Sequence, residues 1–165
     1  MSSQALYEQE KALHEFRERL AQVGILIATL GLVLTLIGLF PLITGVEAQT
    51  GIGVLQILIV LLGLSLLVIG ALIFVKATFY PTARRNLAQD IAVRLSLTGI
   101  LMTSAAGLSD VLGFGSHTPG NEENLPYLGP WQALGMVIGF VVASAGVMIF
   151  ALMGPSEPNQ MDDDY

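Results

Sequence analysis

The chain has 165 residues, of which 53% are hydrophobic and 12% charged, whereas charged residues make up roughly a quarter of a soluble domain, so the apolar surplus has to be buried in lipid. A net charge of −6 argues against a nucleic-acid partner, because phosphate binding needs concentrated Lys and Arg. With no cysteine, the chain has no disulfide, thiolate metal site, iron–sulfur cluster or thiol-borne lipid anchor.

Residues 1–22 place Leu6, Leu13, Phe16 and Leu20 on one side of a helix, with Glu8, Glu10, Lys11, Glu15, Arg17 and Glu18 mostly around the rest. That spacing predicts a cytoplasmic amphipathic helix. Ser2 or Ser3 suits its N-cap, and nothing between Leu20 and Val23 breaks it. A single helix from about Ser3 to about Phe40 is therefore expected, continuous with the first span. Glu outnumbers Lys and Arg along it, which favours a protein partner over anionic lipid. A secretory signal would put basic residues first and a short apolar run next; here a polar segment precedes a full span, so the N-terminus is expected to be retained.

Four apolar stretches follow, Val23 to Ile43, Val54 to Val75, Leu95 to Leu112 and Trp131 to Met153, each near the ~20 residues that cross a hydrocarbon core. The third is the weakest, carrying Ser96, Thr98, Thr103, Ser104, Ser109 and Asp110. The reading is of an all-α integral membrane protein with two helical hairpins in tandem, residues 23–76 and 95–154. Between them, residues 77–94 read as a basic cytoplasmic linker helix, with Pro81 in its first turn and Thr82 satisfying free amides. The first outer connection, Thr44 to Gly53, is short, whereas the second, residues 113–130, holds the Gly, Pro and Asn of a longer loop. Residues 155–165 form an acidic tail expected to be disordered.

All seven Lys and Arg fall before the first span or between the second and third: Lys11, Arg17 and Arg19, then Lys76, Arg84, Arg85 and Arg94. By the positive-inside rule both termini and the linker are cytoplasmic; Asp162 to Asp164 do not oppose this, since acids contribute little to orientation. Tyr127 and Trp131 at the outer start of the fourth span, and Phe79 and Tyr80 after the second, suit interface anchors. The expected location is a prokaryotic cytoplasmic (inner) membrane.

The two halves carry similar residues in the same order. Arg19-Leu20 and Gly24-Ile25-Leu26 recur as Arg94-Leu95 and Gly99-Ile100-Leu101, 75 residues on, while Gly53, Gln56, Gly63 and Gly70 recur as Gly129, Gln132, Gly139 and Gly146, 76 residues on. This reads as a tandem duplication of one hairpin, whose copies a pseudo-twofold axis along the membrane normal relates in a four-helix bundle. Small residues repeat at heptad spacing, as Gly24, Gly31 and Gly38, Gly63 and Gly70, Gly99 and Ala106, and Gly139 and Gly146. Seven residues return a helix to nearly the same face, and in lipid such grooves of small residues are where helices pack.

Candidate chemistry is sparse. Asp110 is the lone carboxylate in or beside a span, which makes it a possible proton or cation site; its place near the outer edge favours a hydrated interface residue. Gln56 and Gln132, equivalent in the repeat, suit interhelical glue or the wall of a pathway. Ser96, Thr103 and Ser104 either line a narrow path or bond neighbouring backbone in the most buried helix. His14 and His117 fall on opposite sides and make no joint metal or haem site. Glu122 and Glu123 lack ordered calcium-ligand spacing. No nucleophile, base and orienting group converge, so no catalytic residue, metal or cofactor is expected. The leading functional reading is a non-enzymatic accessory or scaffold subunit packing against larger membrane partners. The alternatives are a small homo-oligomeric transporter or channel, with Asp110, Thr103, Ser104, Gln56 and Gln132 near its route, and a sensor acting through the N-terminal helix.

Overall fold

A computed structural model describes residues 3–40, 53–80, 86–114 and 128–153. Among them the chain is all-helical, with α1 at Ser3–Leu39, α2 at Val54–Phe79, α3 at Leu87–Gly107 and α4 at Pro130–Leu152. The expected linker residues Pro81 to Arg85, most of the outer loop with His117, Glu122, Glu123 and Tyr127, and the acidic tail lie outside the described residues.

Length and composition make three of these helices able to cross a membrane: α1 from Tyr7 onward, α2 and α4. Exposed Leu26, Leu30, Leu55, Val137 and Val141 are the surface such helices show to lipid rather than to water, and the chain has the character of a membrane protein. The 21 residues of α3 reach about 31 Å, but α3 is not among the three, because Asp90, Arg94 and its hydroxyls lower its mean hydropathy. Its polar residues are sorted by face. Gln89, Ser96 and Thr103 are buried, whereas Ile91, Leu97, Leu101 and Met102 are exposed.

Two expected boundaries move. Residues 77–79 belong to α2, and α3 starts at Leu87, where Asn86 caps it by accepting a bond from the Gln89 amide at 2.8 Å. At its other end α3 stops at Gly107, not Leu112. Turns follow up to Gly113, whose φ of +81° suits glycine.

Packing is pairwise: α1 lies along α2 and α3 along α4, with smaller contacts from α2 to α3 and to α4. The seams are built on glycine. A Cβ at Gly24 would stand 2.7 Å from the Phe74 amide nitrogen, one at Gly31 would collide with that of Leu67, and one at Gly38 would meet Val60 Cγ2 at 2.6 Å. From the other side, Gly63 abuts Thr35 and Gly70 abuts Ala28. In the second pair Gly99 abuts Ala143, Gly139 abuts Thr103, Gly146 abuts Ser96, and Ala106 Cβ lies 2.9 Å from a Cβ built at Gly135. Backbones this close gain dispersion contacts that lipid cannot supply.

These contacts correct the register of the sequence match. Gly31 facing Gly63, with Thr35 one turn on, has the same neighbours as Gly99 facing Gly139, with Thr103 one turn on. The first helices are thus matched 68 residues apart, one heptad from the 75 of the sequence match, whereas Gly63 and Gly139 keep 76. A glycine every seventh residue lets the alignment slip by a heptad at almost no loss. In the contact register Arg19 matches Leu87, so the part of α1 before Arg19 has no counterpart in α3.

Polar bonds tie the ends at the α2–α3 side. Tyr80 Oη donates to Ala151 O at 2.7 Å, and Asn86 Nδ2 donates to Met153 O at 2.8 Å. Beside them Val75, Ala92 and Phe150 form one small core, and Ile57, Val60, Leu61 and Met136 form another at the opposite end.

Candidate functional site

The expected four-helix bundle is not closed. Across α2, α1 stands apart from α4, leaving a cleft of about 440 Å³ with Leu32, Leu36 and Leu39 on one wall, Val137 and Phe140 on the other, and Val60, Leu64 and Leu67 between. Thr35 supplies its only hydroxyl, which donates to Gly31 O at 2.8 Å within its own helix.

On the far side of the α2–α4 contact, the matching residues enclose no space for a water molecule. Ile100 stands where α1 has Leu32, Thr103 where it has Thr35, and Ala143 where α2 has Leu67, while Leu64 and Phe140, themselves a matched pair, line both places. Side-chain size accounts for the difference. At Gly107, α3 comes so near that a Cβ would meet Met136 Sδ at 3.1 Å and Leu61 Cδ1 at 3.3 Å. Leu39 takes that position in α1, opposite Val60 and Val137, and Leu36 replaces Ser104 one turn earlier. Two leucines hold α1 away from α4 where a serine and a glycine let α3 close.

The expected polar residues do not converge. Thr103 Oγ1 lies 2.9 Å from Gly99 O in its own helix and 3.2 Å from Met136 O across the seam, and Ser96 Oγ donates to Ala143 O at 3.1 Å. Ser104 is half-buried. Gln56 Nε2 donates to Gly38 O at 2.6 Å, binding α2 to α1. Gln132 instead turns back on its own helix, where Oε1 accepts from the Gly129 amide at 2.7 Å. Equivalent in the repeat, the two glutamines do different work. Asp110 sits in the turn after α3, half-buried, with its carboxylate oxygens shielded from solvent. His14 is exposed on α1, and no group of acidic or histidine side chains able to hold a metal occurs among the described residues.

Sequence reasoning missed two features. The cleft depends on comparing Leu39 with Gly107, which is informative only in the correct register. Gln89 was read as part of a cytoplasmic linker, yet its side chain is fully buried and both amide atoms lack a hydrogen-bond partner.

A third feature is the start of α1. Gly24 is level with Gly70 and Phe74, so α2, ending at Phe79, stops near Arg19. The helix preceding that level extends about 24 Å, with Tyr7, Leu13 and Phe16 exposed.

No family profile matches the chain, and no curated protein or solved structure is similar enough to it to inform fold or function.

Proposed function

We propose that the protein is a non-catalytic, four-span accessory or scaffold subunit of a prokaryotic cytoplasmic membrane, built by duplication of one helical hairpin. It holds a larger membrane partner through the first sixteen or so residues of α1 (roughly four turns). The observation that carries this reading is that exposed first section of α1. An amphipathic helix with no packing partner in its own chain remains stable when another surface covers its apolar stripe. Leu13, Phe16 and Leu20 share a side with Gly24 and Gly31, so they face along the line that α2 occupies farther on. A partner helix docked there would continue the α1–α2 seam.

The crossing of α3 rests on its sorted faces: polar residues turned into the seam and Leu97, Leu101 and Met102 outward, the distribution that lipid requires. With α3 crossing, both termini and the linker share the cytoplasmic side, in accord with the seven basic residues. The channel reading is less well supported, because Thr103 and Ser96 spend their hydroxyls on backbone carbonyls inside closed seams.

Phe16→Asp puts a charge on the stripe without touching the spans. Purified from its native membrane, the wild-type chain is expected to bring a fixed stoichiometric companion, and Phe16→Asp or deletion of residues 1–18 to lose it while still inserting. A chain that purifies alone as a homo-oligomer and conducts ions in liposomes, with conduction impaired by Asp110→Asn, would replace this reading by the channel one.

A further inference from the structure

We propose that the cleft between α1 and α4 is a binding site for one acyl chain of a phospholipid, a property that goes beyond the subunit reading and does not depend on it. Size comes first. The cleft's 440 Å³ would hold about fifteen waters at ~30 Å³ each, or roughly as many methylene groups of similar volume. Water is a poor occupant, since it needs several polar partners and the Thr35 hydroxyl is already used within α1. From Leu128 to Phe140 the α4 wall runs about 18 Å, close to the length of such a chain.

The walls distinguish a lipid tail from a protein helix. Every helix seam in this molecule is made at Gly, Ala, Ser or Thr, where backbones touch. The cleft presents Leu32, Leu36, Leu39, Val137 and Phe140, bulky side chains that keep a helix backbone distant but pack well around a thin, flexible hydrocarbon. Thr35 and Val60 belong to both the cleft and the α1–α2 seam, so an occupant extends an interface already built. Charge agrees as well. The cleft runs toward the starts of α2 and α4, and neither helix has an acidic residue in its first turn. A lipid phosphate above the cleft therefore meets the positive ends of two helix dipoles.

The test reconstitutes the full chain in phosphatidylcholine vesicles, extracts it in mild detergent and counts retained phospholipid by native mass spectrometry. Wild type is expected to keep one lipid per chain. Val137→Trp and Leu36→Trp fill the cleft and should lower retention by about tenfold or more. Leu39→Ala should do the same without added bulk, by letting α1 approach α4 as Gly107 lets α3. Ile138→Trp adds equal bulk to an exposed α4 position outside the cleft and should keep the lipid. Helical circular dichroism equal to wild type establishes that each variant is folded. Wild type without lipid, cleft variants that keep it, or a disulfide-linked dimer formed by Leu36→Cys would each overturn the proposal, the last by identifying a second copy as the occupant.

Discussion

Gly31→Val and Gly99→Val should each cost about 3 kcal/mol, the upper end of what overpacking costs. The first added atom at Gly31 meets the Leu67 amide nitrogen and Gly63 O, and at Gly99 the Ala143 amide nitrogen and Gly139 O. All four obstacles are backbone, so no side chain can rotate out of the way. Relief requires the helices to separate, and separation forfeits the dispersion contacts that hold them together in lipid. Titrating the detergent-solubilised chain with sodium dodecyl sulfate and following helicity measures the loss. Gly53→Ala is the control: no atom lies within 4 Å of its added Cβ, and φ is −74°. Equal stability of Gly31→Val and Gly53→Ala would mean that α1 and α2 do not meet at this glycine.

Gln89→Met should raise stability by about 1–3 kcal/mol, the desolvation cost of an unsatisfied buried polar group. The Gln89 side chain is completely buried, and neither its Nε2 nor its Oε1 has a partner. Methionine has nearly the same length and volume, so the exchange removes two stranded polar atoms without opening a cavity. The backbone bond from the Gln89 amide to Asn86 Oδ1 does not depend on the side chain and persists. The same detergent titration reads the gain. A loss instead would show that the amide has a partner in the folded protein.

Where apolar length decides, the sequence is a good guide. A helix running without interruption from a charged start into a span is expected from about Ser3 to Phe40, and α1 ends at Leu39. The starts at Val54 and at Pro130 follow glycines that carry extended backbone, Gly53 and Gly129. The limits of α3 were less legible because they are set locally: Asn86 offers a cap in place of the Pro81 turn, and Gly107 to Gly113 break the helix while the composition is still apolar. Glycine grooves are visible as a heptad, but a heptad cannot fix its own register, which the facing backbones of Gly31 and Gly63 do. The cleft was hidden for that reason. Leu36 and Leu39 look like any lipid-facing leucines until they are set against Ser104 and Gly107, and only then does the missing closure become apparent. Gln89 escaped because burial at a helix start is decided by neighbours distant in sequence, such as the Phe150 region of α4.

The path of α3 carries the account, and labelling of single cysteines in sealed right-side-out membrane vesicles tests it directly. The chain has no native cysteine, so Glu10→Cys, Glu47→Cys, Ala83→Cys, Asn121→Cys and Ser156→Cys each give one reporter for a membrane-impermeant maleimide. The account predicts that Glu47→Cys and Asn121→Cys react from outside, and that the other three react only once the vesicles are opened. Reaction of Asn121→Cys and Ala83→Cys from the same face would mean that α3 does not cross, and the paired-hairpin architecture would be wrong.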